Sequence, residues 1–189
     1  MVHVPSQQVR QQLAAFGTCH PQPAAQWSGT IPLPTVVADF YLEIGPTDLD
    51  VPMVGNDVYL PSLSELWNLQ AGYRWNARTG HHSENWDDGW LVVAATGGDP
   101  FILDIATGTV LHAIHGTGRW TPTGFAQDLN SFAAAIGAIG SMMLDPDTIY
   151  DDDYEIRADW QAAMLRKLTD LLGDDAAAKS AISSLGLTS

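Results

Sequence analysis

Between residues 90 and 115 the chain passes through three short apolar, β-branched runs, each cut off by turn residues. Trp90-Leu-Val-Val-Ala-Ala is followed by Thr-Gly-Gly-Asp-Pro, then Phe101-Ile-Leu-Asp-Ile, Ala-Thr-Gly, and Thr109-Val-Leu-His-Ala-Ile-His. Gly97-Gly98 supplies the positive φ of a tight hairpin, and Gly108 does the same for the next turn. The pattern predicts an antiparallel β-meander. Residues 91–95 are apolar at every position, so both faces of that strand are expected to be covered. Such a meander needs helices laid against it.

The flanking sequence supplies them. Residues 6–16 read as a helix capped by Ser6, with Val9, Leu13 and Phe16 at helical spacing and Gly17 at the end. Residues 33–44 read as a second, opened by Pro34 and stopped by Gly45-Pro46, with Val36, Val37, Phe40 and Ile44 on its apolar face. Residues 48–51 and 57–60 are short strand candidates. A short helix follows, in which Ser62 and Glu65 fit a capping box and Leu63, Leu66 and Trp67 turn inward. A glycine-rich connection then carries an edge strand near Trp120, before a long helix over residues 126–144. Leu129, Phe132, Ala133, Ile136, Ile139 and Met143 form its buried stripe, and Gly137 and Gly140 permit close packing on the sheet.

Asp145, Asp147, Asp151, Asp152 and Asp153 lack calcium-loop spacing and read as a solvated linker. Beyond them, residues 155–172 carry Ile156, Trp160, Met164, Leu168 and Leu171 on one face. With residues 174–185 they form a helical hairpin, packed on the core or set against a second copy of the chain. The expected fold class is α+β. A single domain over residues 1–144 has an antiparallel or mixed sheet with helices packed against it, and residues 145–189 add the acidic linker and the helical extension.

The chain has 189 residues, of which 46% are hydrophobic, enough for one domain with a sizeable core. Its formal net charge of -14 disfavours phosphate backbones, so no direct nucleic-acid contact is expected; a basic protein is the natural partner. Cys19 is the single cysteine, so no intrachain disulfide forms. The first residues show no basic region followed by an apolar run, and no stretch is long enough to span a bilayer. A cytoplasmic protein is expected.

No phosphate-loop spacing and no Gly-x-Ser-x-Gly elbow occur. No catalytic residue, cofactor or metal site is assigned, and the chain is read as a non-enzyme. The odd region is 71–89, aromatic, polar and without periodicity; a loop of this length inside a domain is functional or mobile. Tyr73, Trp75, Trp86 and Trp120 sit in loops among acids. They are either core or the anchors of a protein-binding surface that Glu84, Asp87, Asp88 and Asp99 would steer. An alternative makes His81, His82, Glu84 and Asp87 the site of a metal-dependent enzyme, although their spacing matches no zinc pattern. A regulatory scaffold, or a homodimer through the C-terminal hairpin, is a third reading.

The order of motifs resembles the SUKH superfamily, of the Smi/Knr type. Leu33-Pro34 with Phe40-Tyr41-Leu42, then Asp57-Val-Tyr-Leu-Pro61, then Leu63-Ser-Glu-Leu-Trp67 are similar to its successive segments. So are Trp90-Leu-Val-Val-Ala-Ala with Gly97-Gly-Asp-Pro-Phe101, Asp104-Ile-Ala-Thr-Gly-Thr-Val110, and Ser131-Phe132 in a late helix. The likeness covers residues 31–140. The 71–89 loop is longer than the family pattern and the helices after Asp145 are additional. The resemblance implies an α+β fold and non-enzymatic binding. Bacterial members are similar to immunity proteins that neutralise toxins, often nucleases; fungal members resemble scaffolds of cell-wall synthesis.

Overall fold

The computed structural model describes residues 4–145 and 148–187. Its elements in chain order are α1 (Ser6–Leu13), α2 (Thr35–Glu43), β1 (Leu49–Val51), β2 (Val58–Leu60), β3 (Trp90–Thr96), β4 (Asp99–Asp104), β5 (Val110–His112), β6 (Thr123–Ala126), α3 (Leu129–Met143), α4 (Ala158–Leu172) and α5 (Asp175–Ser184). The six strands lie in sequence order in one wholly antiparallel sheet. The fold is α+β, and the meander at its centre is the one expected. Thr96 faces Asp99, which leaves Gly97 and Gly98 as a two-residue turn with φ of +56° and +99°. Only a primed turn matches the twist of both strands, and glycine enters it without strain.

The sheet has two dissimilar faces. Leu91, Phe101, Leu103, Val110 and Phe125 turn towards the helices and join the main hydrophobic cluster. Val92, Ile102 and Ala113 turn the other way, into a smaller cluster around Trp86. Both faces of β3 are therefore covered, as its unbroken apolar run requires. The second face is closed by chain without long helices. A buried amide, Gln70, makes this possible. Its Oε1 accepts from Val92 N at 2.9 Å and its Nε2 donates to Val92 O at 2.8 Å. β2 pairs only with Thr96 and Ala95 of β3, so Gln70 takes the place of a neighbouring strand where β2 has ended.

The helices depart from expectation in their contacts. Ser6 does not cap α1; its hydroxyl donates to the Glu43 carboxylate, and Pro5 occupies the cap position. α1 also stops at Leu13, short of Gly17. Val36 is exposed while Val37, Phe40 and Ile44 are buried. The capping box is not made: Ser62 N donates to Asp48 Oδ1, and Glu65 accepts from the Asn68 amide. The last strand is not at Trp120 but at Thr123–Ala126, and α3 accordingly starts later, with Asp128 Oδ1 accepting from Ser131 N at 2.7 Å. Gly137 and Gly140 do allow close packing, Gly140 on the sheet at its edge strand β1 and Gly137 on α1 instead. A Cβ on Gly137 would lie 2.9 Å from the Gln12 backbone of α1, and one on Gly140 would lie 2.3 Å from Val51 of β1 and 3.0 Å from Phe16.

The C-terminal helices pack back on their own chain. Trp160, Met164, Leu168, Ala181 and Leu187 belong to the same cluster as the sheet. Ser180 Oγ of α5 donates to the Gly124 carbonyl of β6 at 2.8 Å. α4 ends on left-handed Gly173 at φ +68°. In the acidic segment, Asp145, Asp151, Asp152 and Asp153 are exposed; Asp147 lies outside the described residues. Asp151 Oδ1 accepts from the backbone of Asp153 and Glu155 at 3.0 Å, and Ile149 is buried beneath. Among the described residues, no helix is long and apolar enough to cross a membrane.

Candidate functional site

Residues 71–90 are laid on the second face of the sheet as an ordered layer. They begin with a small hairpin: Ser83 N donates to Arg74 O at 2.9 Å, Asn76 N donates to His81 O at 2.8 Å, and Trp75 bridges His82. Asn76 Oδ1 closes its tip by accepting from Arg78 N and Thr79 N at 3.0 Å, an Asx turn that asparagine favours. A buried cation locks the return. Arg74 is 8% exposed. Its Nη1 donates to the carbonyls of Asp88 (3.2 Å) and Trp90 (3.1 Å), and its Nη2 to Asp88 Oδ1 (2.9 Å). His82 Nε2 stands 3.0 Å from the same Asp88 oxygen.

The expected site residues divide into three groups. Tyr73, Trp86 and Trp120 come together, with ring centroids 5.6–6.0 Å apart, and Trp90 closes on Trp86 at 5.5 Å. Trp86 is only 4% exposed, so its ring is a core element over Val92 and Ile102, not a surface anchor. Tyr73 and Trp120 are half-buried at its margin. Trp75 is not in this group; it packs on Trp67 at 5.0 Å, which meets Trp27 at 5.4 Å. Aromatic residues without periodicity filled the gap between loop and sheet because their area makes up for the missing helix.

The acids remain outside. Glu84, Asp87 and Asp88 are exposed. Asp87 Oδ1 accepts from Gly89 N at 2.7 Å, and Asp88 is held by Arg74. Asp99 is joined to the layer by Tyr73, whose hydroxyl donates to Gly98 O at 3.1 Å. Burial, and then the Asp99 carboxylate, push the Tyr73 phenol up from its ordinary value. Asp99 Oδ1 in turn accepts from His115 N (2.7 Å) and His115 Nδ1 (2.6 Å). Ser83, Glu84 and Asn85 line one side of an open cleft of about 440 Å³, and Ile114, Arg119 and Trp120 the other. Ile114, 62% exposed, is the aliphatic surface that sequence reading passed over as strand.

The metal constellation does not assemble. His82 turns to Asp88 and not to Glu84 or Asp87. Among the described residues, no three His, Cys, Asp or Glu side chains converge as a cation-holding set. The His20 ring meets Thr47 Oγ1 at 3.2 Å, and burial raises the Cys19 thiol pKa. A thiol so placed is a poor nucleophile.

Arg74, Gln70 and His115 were missed. Their long-range partners lie 14 to 22 residues away in sequence, which spacing does not display. The one available signal was an arginine set between tyrosine and tryptophan in an otherwise acidic stretch.

Fold and site together define an α+β protein with a six-stranded meander, helices on one face, and an aromatic layer with an acidic rim on the other. No protein-family model, no curated protein and no solved structure matches the chain.

Proposed function

We propose that this chain is a non-enzymatic protein-binding module of the immunity type, which neutralises a basic toxin domain, a nuclease being the favoured class, by covering its active site or substrate groove. The observation that carries the reading is the 71–90 layer. It is pinned to the start of β3 by Arg74, its aromatic rings face inward, and its carboxylates Glu84 and Asp87 face solvent with no cation paired to them among the described residues. A preorganised acidic rim loses little entropy on binding and accelerates encounter with a basic partner. The net charge of -14 acts in the same direction at longer range. The resemblance of the motif order to the SUKH superfamily supports the same role, and we place the protein in the cytoplasm.

The test is affinity capture from the native cell lysate at low and at high salt, with a Glu84→Lys, Asp87→Lys double variant in parallel. The reading predicts one basic protein, retained at low salt, released as salt rises, and lost on the double variant. Capture that is indifferent to salt and to both substitutions would overturn it.

A further inference from the structure

Two buried side-chain polar atoms have no hydrogen-bond partner among the described residues, Thr169 Oγ1 and His112 Nε2. His112 differs from the threonine in lying on the wall of a cleft of about 290 Å³, between the Gly97-Gly98 turn, the end of β5 and the chain leaving α5. The ring is stacked on Phe101 at 4.6 Å and is itself 6% exposed. Burial pulls its pKa below the ordinary histidine value, against the Asp99 carboxylate and the Ser184 backbone.

The rest of the lining includes the polar side chains of Asn56, Thr96 and Ser184 and one carboxylate. Asp99 is the one formally charged side chain on it. Its Oδ1 is taken twice by His115, and its Oδ2 makes no hydrogen bond among the described residues. A neutral His112 ring can present its unpartnered Nε2 as a lone pair. Met53, Leu185 and Leu187 give the same cleft an aliphatic wall. Carboxylate and imidazole acceptors beside a hydrocarbon wall are complementary to a donor-bearing cation on an alkyl stem.

We propose that this cleft binds an alkylammonium or alkylguanidinium group, its N–H donors directed to Asp99 Oδ2 and His112 Nε2, its stem along Met53 and Leu187. The cation is either a free small amine or a lysine or arginine side chain of a protein partner. The second source deepens the function proposed above and rests on it; the first does not.

The experiment is an NMR titration of the full chain, read at the imidazole nitrogens of His112 and His115, with agmatine as the probe and neutral 1-butanol as the control. Saturable shifts with agmatine at millimolar concentration are expected, none with butanol, and about tenfold weaker binding in Asp99→Asn, the size of one charge-assisted hydrogen bond. His112→Phe keeps the stack on Phe101, removes the nitrogen, and is expected to weaken agmatine with the fold retained. Absence of saturable shifts, or equal affinity in Asp99→Asn, overturns the proposal. The captured partner then separates the sources. Weaker capture by Asp99→Asn assigns the cation to the partner; unchanged capture with agmatine still bound assigns it to a free amine. Salt-sensitive capture by a chain that ignores agmatine leaves the immunity reading standing and this one refuted.

Discussion

Arg74 shows how a single side chain turns a loop into a layer. Its guanidinium serves two carbonyls and one carboxylate that no strand or helix satisfies. Arg74→Met keeps an aliphatic stem, but the Asp88 carbonyl loses its donor and the Trp90 carbonyl keeps only the long bond from Trp86 Nε1 at 3.4 Å. A cost of about 2 kcal/mol is expected, which for a domain of this size lowers the melting midpoint by roughly 4–8 °C. The same substitution should make residues 74–90 sensitive to limited proteolysis, whereas Arg78→Met, at the exposed tip, should change neither. His112 governs a second, pH-dependent effect. Its pKa is lowered on folding, so below the ordinary histidine value of 6.5 the unfolded chain binds a proton that the folded chain resists. Stability therefore falls as pH drops from 7 to 5. Chemical denaturation at both values should show that loss in the wild type and a smaller one in His112→Phe. Asp48 shifts in the opposite sense in its net effect: although desolvation raises its pKa, the hydrogen bonds from Ser62 and Tyr59 lower it overall. It contributes stability above its ordinary range near 3.8, lost only in stronger acid, so the two windows are distinct.

At the scale of elements, the glycines of α3 supply a sharper test than its apolar stripe. Alanine is favoured over glycine in a helix interior by about 1 kcal/mol. At Gly137 the added methyl meets the Gln12 backbone, which cannot rotate away, so Gly137→Ala should destabilise by about 1–3 kcal/mol despite its better propensity. A neutral or stabilising result in thermal unfolding would mean that α1 and α3 stand further apart. The elements also show where sequence reading succeeds. The meander was legible because an apolar run, two glycines and a second run admit one local solution, and the register Thr96 to Asp99 follows from it. The two short strands before it, the long helix and the C-terminal hairpin were legible from periodicity and stop signals. The closure of the second face was not. It depends on Gln70 bonding Val92 and on Arg74 bonding Trp90, at separations of 22 and 16 residues. Periodicity carries no trace of such pairs. The same gap explains the reading of Trp86 as an anchor: its neighbours in sequence are polar, while its neighbours in space are Val92, Ile102 and Ala113.

Across the whole molecule, one continuous cluster joins α1 to α5 with the sheet, so the acidic segment links parts of one folding unit. Ending the chain at Leu144 would strip α4 from α3 and α5 from β6, exposing the apolar residues they cover. Such a chain is expected to aggregate or to lose cooperative unfolding, instead of becoming a stable monomer, and size-exclusion chromatography distinguishes these outcomes. The helices thus fix one face of the sheet and leave the other, with its inward aromatics and outward carboxylates, as the surface proposed to bind a partner. Amide hydrogen exchange on the free chain and on its complex with the captured basic protein tests that claim most directly. The account predicts slow exchange at Ser83, Trp90 and Val92 already in the free chain, and further slowing on binding confined to residues 83–88 and 98–99. Fast exchange at those amides in the free chain, or protection appearing instead on α4 and α5, would contradict it.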